Sequence, residues 1–374
     1  MKLFEYQAKE CFAKFGISIP RGMVISSLQE LQAAIETVGL PCVLKSQILR
    51  GGRGKLGLVR VVATAGEARN IAQELFASDY DIKKLLVEQY VDAAREYYLS
   101  VSLDAVRAEA VVMFCPSGGV DIETVSNEHP ELIHRAYVNL FQGMDGAAAS
   151  QLIYKAGITG KVASMLSRLI LNLYACFEKY DAELAEINPV FITRQNEVIA
   201  GDGKLIIDDN SMFRQPEFKM TREYYSSDME YEAAQQGIPY IQFDGDISLM
   251  CAGAGLTNAV YDLIQYEGGK VANYLEFGGP NYTKSEEALR LCLKNKSKVI
   301  LIVTFGTIAR ADVIAEGVVA ACAKLKPDRP LVTCIRGTNE EEAHKTLTDA
   351  GLECFNDTEQ AVKRAIELAG KAEQ

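Results

Sequence analysis

The chain has 374 residues, 48% of them apolar, which is enough for two or three domains with sizeable cores. A formal net charge of −11 argues against a polyanion as main partner and so against nucleic acid, although a small phosphorylated ligand needs only local positive charge. Nine cysteines, an odd number without a CxxC pair or any clustering with the three histidines, fit free thiols in a reducing compartment better than disulfides or zinc. No stretch is long and apolar enough to cross a bilayer, and charged residues recur through the opening MKLFEYQAKECFAKFG, unlike a signal peptide. The expectation is a cytoplasmic protein without a membrane partner.

Phe4, Ala8, Cys11, Phe12 and Phe15 recur at helical spacing, and Gly16 ends that helix. A strand from Arg21 to Ile25 and a helix running to about Val38 follow. Two strands, around Cys42–Lys45 and Gly57–Val62, flank a glycine-rich basic loop, Arg50-Gly51-Gly52-Arg53-Gly54-Lys55. Helix, strand and helix patterns run on to Asp121, with strands at Leu85–Tyr90 and Tyr97–Leu103, and residues 145–180 read as mostly helical. Residues 184–204 read as a β-hairpin turning at Arg194-Gln195-Asn196. The polar, tyrosine-rich stretch 206–240 shows no period and is read as a connection. From Tyr240 onward, five apolar strands beginning near Ile247, Val271, Val299, Leu331 and Leu352 alternate with helices, the pattern of a buried parallel sheet. The division expected is 1–225, a connecting segment 226–239, and 240–374.

Three motifs carry chemistry. In the hairpin, alternation puts Glu186 and Asn188 on one face, and pairing brings Asp202, fourteen positions beyond Asn188, towards them. Oxygen ligands on adjacent strands suit Mg²⁺, which fills its octahedron with water and substrate phosphates. The plain alternative is a hairpin with polar residues facing solvent. Against it stand a proline inside the strand, Asn188-Pro189, and the glycines that expose backbone around Asp202.

The loop Gly51–Lys55 lacks Walker A spacing, yet its glycines let backbone N–H groups approach phosphate while Arg53 and Lys55 supply charge. Lys45, interrupting an apolar strand, reaches for the same phosphates. The alternative is a solvated hairpin tip. Glu88 and Glu96 flank a loop that composition alone leaves undecided.

Four strand-to-helix turns, at Gly253-Ala254-Gly255, Phe277-Gly278-Gly279, Phe305-Gly306-Thr307 and Arg336-Gly337-Thr338, fall on one carboxyl edge and together read as an anion-binding crevice. Gly253-x-Gly255-x-x-Asn258 mimics a dinucleotide fingerprint but lacks its third small residue. No histidine pairs with a nucleophile or shows metal spacing, so solvated histidines are expected.

FEYQAKECFAKFGI, GGRGKLG, the glycine pair before Val120-Asp121-Ile122-Glu123, AEINPVFIT, GDGKL and MFRQP occur in order along nearly the whole chain. With the βα loops after them, they resemble the β subunit of succinyl-CoA synthetase, within the ADP- or GDP-forming acyl-CoA ligases. The resemblance implies an ATP-grasp fold of two α+β subdomains, followed by a flavodoxin-like parallel-sheet CoA-ligase domain. It implies Mg²⁺ and ATP or GTP, and a partner α subunit that carries a phosphohistidine and most of the CoA site, assembled as αβ or α2β2. Phosphate would pass from nucleotide to histidine to a carboxylic acid, and CoA would displace it, reversibly.

Carried over by motif, Lys45 and Gly52-Arg53-Gly54 would hold the phosphates. Glu88 with Val91 would line the adenine pocket, and Glu96 would lie near the nucleotide. Asn188 and Asp202 would bind Mg²⁺, and Glu186 would orient the phosphohistidine. A helix beginning near Thr307 would point its N-terminus at the same phosphate. The acid would meet Ala252, Thr307, Ile308 and Ala309. At these last positions the chain departs from succinate-using relatives, which have asparagine for Ala252 and Gly-Gly-Ile-Val for Gly306-Thr307-Ile308-Ala309. The run Glu276-Phe277-Gly278-Gly279-Pro280-Asn281 also replaces three consecutive glycines. Losing one amide to a carboxylate costs about 1.5–3 kcal/mol. The expected enzyme is therefore an acid–CoA ligase β subunit, acting on succinate or on another di- or tricarboxylic acid such as malate or citrate; RGKLGLV also resembles the ATP-citrate lyase branch. A stand-alone acid–amine ligase and a non-catalytic nucleotide-binding regulator are the rivals.

Overall fold

A computed structural model describes residues 1–306 and 308–371. The chain forms two compact units, 1–219 and 220–374.

In the first unit, α1 (Glu5–Lys14), β1 (Gly22–Ile25), α2 (Leu31–Val38), β2 (Cys42–Ser46), β3 (Val59–Val62), α3 (Ala65–Phe76) and β4 (Leu85–Gln89) follow in order. The four strands make an antiparallel sheet ordered β1-β4-β2-β3. One face meets α2 and α3: Cys42, Leu44, Leu85 and Val87 pack against Ala34, Ile35, Ala68 and Ala72. Side chains alternate along a strand, so Lys45 and Glu88 point to the opposite face.

The second sheet is built from β5 (Ala93–Asp104), β6 (Glu109–Cys115), β7 (His134–Val138), β8 (Ala182–Thr193), β9 (Val198–Ala200) and β10 (Lys204–Ile207). Its order is β10-β8-β5-β6-β7, with β9 also pairing to β8. A short helix, α4 (Ile122–Glu128), and two longer ones, α5 (Gly146–Lys155) and α6 (Gly160–Lys179), intervene in sequence. The β8–β9 hairpin turns at residues 194–197, where Asn196 adopts φ +62°. The stretch before Asp121, read from sequence as ending in a helical pattern, is instead β6. Its Ala110-Val111-Val112 run is paired on both edges, to β5 and β7, and that pairing outweighs a weak helical periodicity.

In the second unit, α7 (Asp228–Gln235) precedes β11 (Tyr240–Gln242). Then come β12 (Ile247–Ala252), α8 (Ala254–Tyr266), β13 (Val271–Leu275), α9 (Ser285–Lys294), β14 (Val299–Gly306), α10 (Ala311–Leu325), β15 (Leu331–Gly337), α11 (Glu340–Asp349), β16 (Glu353–Cys354) and α12 (Thr358–Lys371). The sheet order β11-β13-β12-β14-β15-β16 is parallel except for β11 at the edge, and its five parallel strands have the 2-1-3-4-5 winding of flavodoxin-like folds. The stretch read as a connection holds β10, two 3₁₀ turns and α7. Only Ala233 of α7 is fully buried, so the helix carries too short an apolar stripe to be seen in sequence. Among the described residues, no helix is long and apolar enough to cross a membrane.

Candidate active site

Lys45 and Glu88 sit on adjacent strands, on the sheet face that α2 and α3 leave open. The register pairs Val43 with Glu88 and Lys45 with Leu86, so the two charged residues are diagonal neighbours. Their Nζ and Oε2 atoms are 2.7 Å apart. From α1, Glu5 and Lys9 descend onto the same spot: Glu5 Oε1 is 2.9 Å from both Lys45 and Lys9, and Lys9 is 2.6 Å from Glu88 Oε1. The glycine-rich loop delivers Arg53, whose Nη2 lies 2.7 Å from Glu5 Oε2 and 2.9 Å from Asp202 Oδ2, while Nη1 donates to the Ser46 carbonyl. Both lysines also donate to the Gly201 carbonyl.

Three carboxylates and three cations therefore close into one neutral cluster. Every member except Asp202 is buried. Burial works to raise the Glu5 carboxyl, but Lys45, Lys9 and Arg53 together hold it well below its usual value. Burial works to lower Lys45, and Glu5, Glu88 and Asp202 outweigh it, leaving the ammonium more firmly protonated than in water. Arg53 is raised in the same way by Glu5 and Asp202. Lys55 is different: it is exposed and, among the described residues, pairs with Asp121, at 3.4 Å. Gly52 and Gly54, on either side of Arg53, are exposed.

The hairpin residues converge as well. Val190 pairs with Ala200, Glu186 pairs with Lys204, and Gly201 N–H donates to the Pro189 carbonyl, so Asn188 and Asp202 stand opposite each other. Asn188 Oδ1 accepts from Gly119 N–H at 2.8 Å, and its Nδ2 donates to the Val120 carbonyl. Glu96 reaches the same segment: a Cβ on Gly119 would lie 2.3 Å from Glu96 Oε2, and the φ of +69° at Gly119 favours glycine. Burial raises the Glu96 carboxyl. Glu186 accepts from the Tyr98 hydroxyl at 3.0 Å, and burial, then the Glu186 charge, holds Tyr98 protonated above its usual range. Val91 is partly exposed in the short β4–β5 connection. A cleft of ≈ 660 Å³ opens beside Glu96 and is lined also by Arg95, Tyr97, Thr159 and Lys161; Lys45, Arg53 and Asp202 do not line it.

In the second unit the four loops do lie on one carboxyl edge, but much of their amide potential is used internally. Glu276 Oε1 accepts from both Gly253 N–H and Gly278 N–H, at 2.8 and 2.7 Å. Glu340 takes the Gly337 amide, and Thr338 N–H donates to the Gly306 carbonyl. With Glu276 turned inward, the fingerprint-like loop offers neither its acid to a ribose nor those amides to a pyrophosphate. Ala252 ends β12, partly exposed. Ile308 is 92% exposed, whereas Ala309 packs against the core below β14. Thr307 lies outside the described residues. Helix α10 starts at Ala311, four residues later than the sequence reading places it.

Two α+β lobes that bring a buried cation cluster against a hairpin's oxygen donors, in a chain that also carries a flavodoxin-like sheet, define an ATP-grasp ligase with a CoA-ligase domain. Residues 2–192 match the ATP-grasp domain family and residues 250–368 match the CoA-ligase family. The chain belongs to the succinyl-CoA synthetase (ADP- or GDP-forming) β-subunit family of acid–thiol ligases. It is 53% identical over 369 residues to the ADP-forming sulfoacetate-CoA ligase subunit SauC of Bilophila wadsworthia, covering 99% of both chains. To the ADP-forming succinate–CoA ligase β subunit of Ignicoccus hospitalis it is 37% identical, with full coverage of both. The ATP citrate lyase of Methanothrix soehngenii superposes with a TM-score of 0.78 at 20% identity, over 98% of this chain and 99% of that one, and shares the fold.

Sequence reasoning missed Glu5 and Lys9. It followed the apolar positions of α1 and passed over the charges between them. The available signal was spacing: Glu5, Lys9 and Phe12 fall at i, i+4 and i+7, which places the ion pair on the inward face.

Proposed function

We propose that this chain binds a Mg–nucleoside triphosphate in its first unit and, as the β subunit of an acid–CoA ligase, transfers the γ-phosphoryl group to a histidine of a partner α subunit. The acid is then activated as its acyl phosphate and released as the CoA thioester with nucleoside diphosphate and phosphate, reversibly. The observation that carries this reading is the gathering of Lys45, Arg53 and Asp202, from three separate segments, around one buried point. Phosphoryl transfer asks a protein chiefly for positioning and charge stabilisation, and these are the groups able to supply both.

Asn188 and Asp202, opposite each other by register, would supply hard oxygen donors of the kind Mg²⁺ takes. When bound, the ion neutralises charge on the terminal phosphates. The residues do the rest. Lys45 and the Gly52-Arg53-Gly54 turn hold phosphate oxygens, Glu88, Val91 and Glu96 line the base and sugar side, and Glu186, oriented by Tyr98, receives the incoming histidine.

For the acid, the greater likeness to a sulfoacetate-CoA ligase subunit than to a succinate–CoA ligase subunit supports a short sulfonated carboxylate, with sulfoacetate the choice. Ala252, Thr307, Ile308 and Ala309 are the positions read as meeting that acid. Mixing the chain with its α subunit and γ-labelled ATP tests both claims. The expected results are acid-labile label on the partner and faster thioester formation from sulfoacetate than from succinate, malate or citrate. No label on a competent partner ends the nucleotide reading, and a succinate preference ends the sulfonate one.

A further inference from the structure

Lys9 duplicates Lys45. Lys45 Nζ meets Glu5 Oε1 at 2.9 Å, Glu88 Oε2 at 2.7 Å and the Gly201 carbonyl at 2.6 Å. Lys9 Nζ meets Glu5 Oε1 at 2.9 Å, Glu88 Oε1 at 2.6 Å and the same carbonyl at 2.8 Å. Each lysine donates two hydrogen bonds and lies within ion-pair distance of a third group, and the three groups are the same for both. A lysine in that state holds a phosphate only after giving up one of its acceptors. Without a second cation, its departure would strand buried Glu88 as an unpaired charge and leave buried Glu5 to Arg53, which is itself read as a phosphate ligand.

Lys9 is placed to prevent this. Its helix is anchored by the buried Phe4, Ala8, Cys11 and Phe12, and its stem packs at Gly203, where a Cβ would lie 3.3 Å from Lys9 Cγ. Lys45 and Arg53 come instead from the sheet and loop proposed above to face the nucleotide. We propose that Lys9 is a positioning residue, a resident cation that keeps Glu5, Glu88 and the Gly201 carbonyl satisfied while Lys45 exchanges them for nucleotide phosphates. This rests on the reading that Lys45 and Arg53 hold those phosphates. Glu5 is the counterpart, a carboxylate that competes with phosphate for both Lys45 and Arg53.

The test is calorimetric titration of the full-length chain with Mg-ADP. Lys9→Met leaves buried Glu88 dependent on Lys45, and Glu5 on Lys45 and Arg53, both read as phosphate ligands, so affinity falls about tenfold or more, the scale of one charge-assisted hydrogen bond. Lys9→Arg keeps the charge and stays near wild type. Glu5→Gln removes the competitor and tightens binding about threefold or more, a fraction of one such bond. A merely structural role would lower the melting temperature of both variants and leave the affinity of the folded protein unchanged. Equal affinities, or shifts in the same direction for Lys9→Met and Glu5→Gln, overturn the inference. If Lys9→Met does not fold, Glu5→Gln against wild type decides alone. A wild-type chain that binds no Mg-ADP overturns the nucleotide reading and this inference together, whereas normal binding by Lys9→Met overturns this inference only.

Discussion

Arg53 Nη2 donates to both carboxylate oxygens of Asp202, at 3.0 and 2.9 Å, across 149 residues of chain. The phosphate-binding arginine and the metal-binding aspartate of the proposed site thus neutralise each other. On the proposed reading, Asp202 would turn from Arg53 to the ion and Arg53 to a phosphate oxygen, so that neither charge would be left without an opposite.

Asp202→Ala should therefore spare folding and remove function. Asp202 keeps about a third of its side chain exposed, and Arg53 retains Glu5, so the stability loss should stay below about 2 kcal/mol. Phosphoryl transfer to the partner should fall by about a hundredfold or more, the scale seen when one positioned electrostatic group is removed from an active site. Denaturant titration and label transfer, measured on the same preparation, check the two halves.

Acid should act on this protein through Glu5. Its native carboxyl lies well below the 4.5 of the free group, so the charged form is the one that folding favours. Its contribution is complete above about pH 4.5 and is lost as pH falls through the depressed native value. Stability measured by denaturant between pH 7 and pH 3 should decline steeply in the acid arm. Glu5→Gln should begin lower, by about 3–5 kcal/mol for a broken buried cluster, and decline less steeply.

The choice of acid should respond to Ala252. Placing asparagine at the end of β12, as succinate-using relatives have it, adds an amide donor where the carboxylate is read to bind. Ala252→Asn should raise kcat/KM for succinate relative to sulfoacetate about tenfold, the worth of one hydrogen bond to a charged acceptor. A competition assay with both acids measures the ratio directly.

Gly337 should not tolerate a side chain. It has φ +120°, and a Cβ would come within 1.8 Å of the Gly306 carbonyl on the neighbouring strand. Gly337→Ala should cost about 2 kcal/mol or more from overpacking and backbone strain. The loss should appear as a lowered unfolding midpoint and weakened thioester formation, with Mg-ADP affinity of the first unit unchanged.

Local chemistry made much of this protein legible in the sequence. Apolar strands alternating with helices announced the parallel sheet of the second unit, because a strand buried on both faces must be apolar throughout. Alternation about a short polar turn placed Asn188 and Asp202 opposite each other before any coordinates, because hairpin register follows from the turn. The α7 helix was not legible, since one buried alanine leaves no periodic trace, and the apolar pattern does not mark the start of α10 at Ala311.

What only the tertiary structure decided is where the charges go. Along the chain, Lys45 and Arg53 read as free cations and Glu88 as an acid beside a loop, while Glu5 and Lys9 were unremarked in an amphipathic helix. Folding collects all five with Asp202 into one neutral cluster, and likewise turns Glu276 inward onto the amides of Gly253 and Gly278. The physical reason is that a buried charge must find its opposite, and the partner that satisfies it is set by distance in space, on which spacing in sequence is silent.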